Sequence, residues 1–313
     1  MIKTLRKIST VGMSREEWLE HRMSTIGGSD ASAILGMNSY ASPYTVWGEK
    51  LGMLPPKEDS EAMRLGRDLE AYVSQRFTEA TGKRVRRENN ILYNEQYPFA
   101  HANVDRLIVG EDAGLECKTT SSLNLKKFKG GEFPDTYYVQ CVHYLMVTGC
   151  AKWYLAVLVL GREFLWFEIE RDEDEIAALA KSEADFWEYV KSKTPPPVDG
   201  TEPTSEAITQ LHSESDGDSI SLFGFDDEMS RYIDLGEQIK ELKALQDEAA
   251  NKIKVFMSDA AKGETDRFRV SWASQTRTTF DHKRLAAEHP ELPLAQYYKE
   301  SVSRPFKVSA IGE

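Results

Sequence analysis

Three cysteines, Cys117, Cys141 and Cys150, are all that this 313-residue chain holds. Their number is odd and their spacing fits no zinc pattern, which excludes a disulfide-built secreted domain and a zinc-finger module and suits a reducing cytosol. An iron–sulfur cluster needs four such ligands and is excluded too. Long apolar runs are also missing. The longest, residues 153–160, is far short of the roughly 20 residues that cross a bilayer. Residues 1–13 carry basic side chains without an apolar stretch, so no signal peptide is expected. Internal repeats are absent. Positive charge is in short supply, with 39 Lys+Arg against 51 Asp+Glu and a formal net charge of −12.

What is present suffices for a real core: 41% hydrophobic residues, 29% charged and 10% aromatic exclude a disordered chain. The length suits one large domain or two moderate ones. Charge is unevenly placed. Residues 1–162 carry 21 basic and 19 acidic side chains, residues 163–188 alone hold ten acids, and from 201 onward 14 basic face 21 acidic residues. A partner feels local fields rather than the sum. Two basic clusters, Lys83, Arg84, Arg86, Arg87 and Lys126, Lys127, Lys129, are either solvated loops or the rim of a groove for a phosphate backbone.

Residues 14–22 read as a helix capped by Ser14 with Glu17 completing a capping box. A turn at 25–29 leads into a second helix through 30–35. Apolar residues at helical spacing predict a helix over 61–80, stopped by Thr81 and Gly82. From 84 to 120 the period changes, and 91–93, 102–109 and 114–118 read as strands. A helix at 135–148, a hairpin of 153–160 with 163–169 and an acidic helix at 172–192 complete residues 1–194 as one domain. Residues 195–225 have linker composition. Residues 226–313 form a helix-rich accessory region: a helix of about 30 residues with an apolar stripe, a hairpin of 267–272 with 278–280, and a helix capped by Asp281.

The chemistry concentrates in residues 103–120, NVDRLIVGEDAGLECKTT. Glu116 and Lys118 are two apart on a strand and share a face, and the hairpin folds Asp105 back beside them. Converging carboxylates repel unless a cation intervenes. Hard oxygen donors with open water positions suit Mg²⁺ or Mn²⁺ rather than Zn²⁺. A nearby ammonium can hold a water or stabilise charge on a phosphoryl oxygen. Together these are the parts for metal-assisted phosphodiester hydrolysis. An ordinary surface Glu–Lys pair is the bland alternative, weakened because Asp105 sits among Val104, Leu107, Ile108 and Val109, where an unpaired charge is costly.

The pattern Asp105…Glu116-Cys117-Lys118 resembles the PD-(D/E)XK nuclease superfamily. Its surroundings resemble the YqaJ-type viral recombinase or lambda-type alkaline exonuclease branch: Trp18-Leu19-Glu20-His21-Arg22, Ile26-Gly27-Gly28-Ser29-Asp30-Ala31, Gly66-Arg67-Asp68-Leu69-Glu70 and Tyr137-Tyr138-Val139-Gln140. The proline of the superfamily's name is replaced by Val104. The resemblance implies an α/β (α+β) restriction-endonuclease-like core, a mixed central sheet flanked by helices, with a helical and hairpin extension at the C-terminus. It implies that Asp105, Glu116 and the Cys117 carbonyl bind metal with help from Glu70, as two Mg²⁺ or Mn²⁺ ions. Lys118 would activate water, Gln140 would serve the same centre, Tyr137 would line the cleft, and Arg22 and Ser29 would grip a terminal 5′-phosphate. An arginine expected eight residues past the motif glutamate is missing, since Asn124 stands there.

The function so implied is a 5′→3′ exonuclease on linear double-stranded DNA, yielding mononucleotides and a 3′ single-stranded tail for a single-strand annealing protein. A homotrimer, no membrane association and a bacterial cytoplasm with a phage or prophage gene come with it. A PD-(D/E)XK endonuclease of restriction or junction-resolving type is the rival enzyme. A DNA-end-binding recombination scaffold with a degenerate site is the rival of another class, favoured by the long helix beyond 226.

Overall fold

The computed structural model describes residues 5–55, 59–299 and 303–310. It divides into one unit through His212 and a second from Ser213. The first contains β1 (Arg6–Ser9), α1 (Arg15–Met23), α2 (Gly28–Ile34), α3 (Pro43–Lys50), α4 (Glu61–Thr81), β2 (Val85–Arg87), β3 (Asn90–Tyr93), β4 (His101–Asn103), β5 (Arg106–Ile108) and β6 (Ala113–Thr120). It continues with α5 (Asp135–Thr148), β7 (Lys152–Val159), β8 (Glu163–Glu170), α6 (Glu173–Ser192) and α7 (Glu202–Leu211).

Most helix ends obey local chemistry. Ser14 caps α1 in a capping box with Glu17, as its sequence predicts. α4 and α5 each stop at a glycine in the left-handed region, Gly82 and Gly149, where a side chain would be strained. The acidic start of α6 follows Asp172, whose carboxylate accepts from the N–H groups of Asp174 and Glu175.

Five strands form the main sheet in the order β2-β5-β6-β7-β8. Only β6 and β7 run parallel; α5 is the crossover between them. Trp153, Tyr154, Leu155, Ala156 and Val157 of β7 are all buried, which is why that strand reads as a continuous apolar run. Gly114 of β6 lies opposite Trp153, and a β-carbon there would meet the indole at 2.1 Å. A second sheet, β1-β3-β4, stands beside the first.

The structure corrects the strand predicted over 102–109. It is two strands in different sheets: β4 pairs with β3, β5 pairs with β2 and β6, and the chain changes sheet at Val104 and Asp105. The basic cluster 83–87 is loop only at Lys83 and Arg84; Arg86 and Arg87 belong to β2, with Lys83 bound to Glu111 at 2.5 Å and Arg86 to Glu88 at 3.2 Å. The segment 195–225 is not all linker either. α7 buries Thr204 and Ala207, and Ala207 packs with Tyr44, Trp47 and Phe186 in the first unit's own core.

The second unit contains α8 (Asp226–Met257), the hairpin β9 (Lys262–Glu264) with β10 (Arg269–Ser271), and α9 (His282–Glu288). The long helix is as its apolar stripe predicts. The hairpin is shifted: its first strand precedes 267, and 278–280 is not strand. Among the described residues no helix is long and apolar enough to cross a membrane.

Candidate active site

The strand β6 carries Glu116 and Lys118 in register with Leu155 and Val157 of β7, and α5 lays Gln140 across them. Lys118 Nζ lies 2.7 Å from Glu116 Oε1 and donates to Gln140 Oε1 at 2.9 Å. The two N–H bonds of Gln140 Nε2 go to Glu116 Oε1 at 2.9 Å and to the Tyr144 hydroxyl at 2.7 Å. One glutamine thus fixes both charged groups. The Lys118 ammonium also sits over the Tyr137 ring, 5.4 Å from its centroid.

Burial alone would lower the pKa of Lys118, yet Glu116 and Asp105 hold it above the ordinary lysine value, so the amine stays protonated. Asp105, at the crossing between the sheets, accepts from the Cys117 N–H at 2.8 Å. Its pKa is raised well above the usual carboxylate range by burial first, then by Glu116 and Glu70.

Glu116 is 3% exposed, and its second oxygen, Oε2, is buried with no hydrogen-bond partner among the described residues. A buried carboxylate oxygen left unpaired is costly. Beside a strained second carboxylate, it is the arrangement that a hard divalent ion relieves. Glu70 lines a cleft of about 300 Å³ together with Asp105 and Arg106. Its carboxylate is taken by the buried Arg106, whose guanidinium also donates to the Asp105 carbonyl at 2.7 Å, with Arg87 at 3.8 Å. Among the described residues no three His, Cys, Asp or Glu side chains close into a metal-holding group. The donors whose chemistry fits an ion are Asp105 and Glu116 with the Cys117 backbone beside them, and Glu70 is a neighbouring charge.

The remaining predicted residues assemble at α1 and α2. Arg22 donates to Ser29 Oγ at 2.9 Å and approaches Asp30 Oδ1 at 3.3 Å. Asp30 is buried, and its other oxygen takes Lys50 Nζ at 2.6 Å and the Gly27 N–H at 3.0 Å. Burial opposes its charge, but Lys50 and Arg22 hold its pKa well below the carboxylate range. Lys50 also donates to the Arg22 carbonyl at 2.7 Å. Ser29 is not a helix cap, because α2 begins at Gly28 and the capping position is Gly27.

The two glycines are required from within. A β-carbon on Gly28 would lie 2.7 Å from the Tyr144 ring and 3.3 Å from Gln140 Cγ, so the bare backbone lets α2 close on α5. A cleft of about 450 Å³ is lined by Ser29, Thr120, Asn124, Lys127, Tyr137 and Gln140 among others. Asn124 thus faces the cleft where the resemblance expects an arginine, and Lys127 stands nearby.

Sequence reasoning missed Lys50, Arg106 and Tyr144 and gave Asp30 no role. Arg106 directly follows Asp105, a hint that a charge pair was needed inside; Lys50 and Tyr144 carry no local signal.

A mixed sheet with Glu-x-Lys on one strand, Asp at the entry to its antiparallel neighbour and a helical glutamine laid across them has the PD-(D/E)XK-like fold. The alkaline exonuclease LHK-Exo of Laribacter hongkongensis, solved with dAMP, superimposes with a TM-score of 0.50 at 20% identity, covering 57% of this chain and 94% of that one. Residues 17–151 match the YqaJ-like viral recombinase domain. The Bacillus subtilis (strain 168) protein YqaJ is 40% identical over 306 residues, 96% of either chain. The chain belongs to the YqaJ-like viral recombinase family.

Proposed function

We propose that this protein is a metal-dependent 5′→3′ exonuclease that hydrolyses one strand of linear double-stranded DNA to mononucleotides. The 3′ single-stranded tail left behind would pass to a single-strand annealing protein in phage-type recombination. The observation that carries the proposal is the Glu116–Lys118–Gln140 network, with one Glu116 oxygen buried and unpaired beside the charge-strained Asp105. The exonuclease named among the structural relatives and the recombinase family support the same reading.

Asp105, Glu116 and the Cys117 carbonyl would hold Mg²⁺ or Mn²⁺, and Glu70 would assist a second ion once released from Arg106. The metal supplies Lewis-acid polarisation of the phosphoryl group and a more acidic water. The chain supplies the rest. Lys118, kept cationic by Glu116, stabilises charge gathering on a phosphoryl oxygen. Gln140 holds both charged groups in place, accepting from the ammonium and donating to Glu116. Arg22 and Ser29 would receive the terminal phosphate across the cleft, where a guanidinium gives charge-assisted hydrogen bonds. A homotrimeric ring would place the basic surfaces of residues 1–162 inward. The bacterial cytoplasm is the proposed site of action.

The test is digestion of linear duplexes bearing 5′-phosphate or 5′-hydroxyl ends, beside a covalently closed circle, with Mg²⁺ and with chelator. Metal-dependent release of mononucleotides from 5′-phosphoryl ends and an intact circle are expected. Nicking of the circle would support an endonuclease instead, and no cleavage of any substrate a binding scaffold.

A further inference from the structure

One pair of titratable groups has no part in the chemistry above. His143 of α5 and Glu183 of α6 are both 0% exposed. His143 Nδ1 lies 2.7 Å from Glu183 Oε1, and Nε2 lies 2.8 Å from the His101 carbonyl. A carbonyl only accepts, so Nε2 carries a proton, and a single further proton is shared between Nδ1 and the carboxylate. Glu183 Oε2 has no hydrogen-bond partner among the described residues. Apolar side chains of similar volume would stabilise the α5–α6 contact at least as well as such a pair.

What the pair reaches is the turn before α2. The backbone of His101 donates to the Ile26 carbonyl at 2.8 Å, and its ring nitrogen Nδ1 is 2.8 Å from Thr25 Oγ1. A β-carbon on Gly27 would meet His101 Nε2 at 3.1 Å. One turn back on α5 from His143 is Gln140, and the next residue, Tyr144, fills the space against Gly28. The chain of contacts therefore runs from Glu183 through His143 and His101 to the 25–28 turn. Ser29 follows that turn directly, and His143 stands on the helix that carries Gln140.

We propose that the buried His143–Glu183 pair is a positioning device that fixes the Arg22–Ser29 pocket against the Gln140 helix, and so sets how a terminal phosphate is read. Its catalytic readout rests on the end recognition proposed above. Neither residue touches the reacting atoms.

The test uses the full-length protein carrying His143→Leu with Glu183→Leu, which keeps the volume and removes the tie to His101. Two quantities are read: the ratio of kcat/KM on 5′-phosphoryl over 5′-hydroxyl duplex ends, and amide hydrogen exchange over residues 25–30 against β6 and β7. A displaced pocket predicts a ratio lower by about tenfold or more and exchange in the turn faster by about tenfold, with β6 and β7 unchanged. Glu183→Gln, whose amide can still donate to Nδ1, is expected to keep both near wild type. Wild-type exchange in the turn of the double variant would overturn the proposal, as would faster exchange spread evenly over the whole unit. Should the wild-type protein itself not distinguish the two ends, the end-recognition reading fails, and the exchange comparison alone decides the positioning role.

Discussion

Asp105 stores strain that a cation would release. Its carboxylate is disfavoured by burial, Glu116 and Glu70, and because its pKa is raised, the charged form costs stability at neutral pH in metal-free protein. Asp105→Asn keeps an oxygen for the Cys117 N–H and removes that charge. The variant is expected to melt a few degrees higher than wild type in chelator, and to show no Mg²⁺-induced rise in Tm. Thermal melts with and without metal measure both effects; a lower Tm in chelator would remove the electrostatic argument. His101 gives a second prediction at this scale. Burial first, then Lys50, pushes its pKa down to about 3, so the unfolded chain binds the proton more readily. Stability is then lost as pH falls from the unfolded value near 6.5 toward 3, by about 3 kcal/mol at pH 4. The pH slope of urea midpoints between 6.5 and 4 should shrink in His101→Gln. Over that window the raised pKa of His143 leaves its contribution constant, since such a group loses stability only as pH rises.

At the scale of elements, close approach decides which residues are tolerated. Gly28→Ala drives a methyl into Tyr144, which sits between Trp153 and Gln140. The expected cost is about 1–3 kcal/mol by urea unfolding, with nuclease activity falling further than stability because Gln140 moves with α5. Activity that only tracks the folded fraction would contradict that link. Much of this level is legible in the sequence. Helices α1, α4, α5, α6 and α8 announce themselves by caps, terminal glycines and apolar spacing, and the β6–β7–β8 strands by turn residues. The change of sheet at Val104 and Asp105 is not legible, because neither glycine nor proline interrupts the strand-like stretch through Val109. Helix α3 is hidden because Tyr44, Thr45, Val46, Trp47 and Gly48 are all buried, leaving no polar face to set a period. At the site, the shared face of Glu116 and Lys118 follows from strand geometry, and the approach of Asp105 to Cys117 depends on the turn that joins the two sheets. The salt bridge that draws Glu70 to Arg106 depends on β5 pairing beside α4, which local sequence does not encode.

For the whole molecule, every residue proposed for catalysis or end binding lies in the unit that ends at His212. A chain truncated after His212 is expected to keep metal-dependent, end-dependent hydrolysis. Loss of cleavage in a truncated chain with native circular dichroism would give the second unit a part in the reaction. The proposed ring predicts a solution mass near three times 35.5 kDa by light scattering, and a monomer would remove the ring.

The central claim is that Glu116 and its neighbours form the hydrolytic centre. Its most direct test is the initial rate of mononucleotide release from a linear 5′-phosphoryl duplex at saturating Mg²⁺, comparing wild type with Glu116→Gln. The amide keeps the shape and the contact with Gln140 but gives up the charge that pairs Lys118 and completes the ion's donors. A loss of about 10³-fold or more with an unchanged fold is predicted. A variant retaining more than about a tenth of wild-type rate would place the chemistry elsewhere.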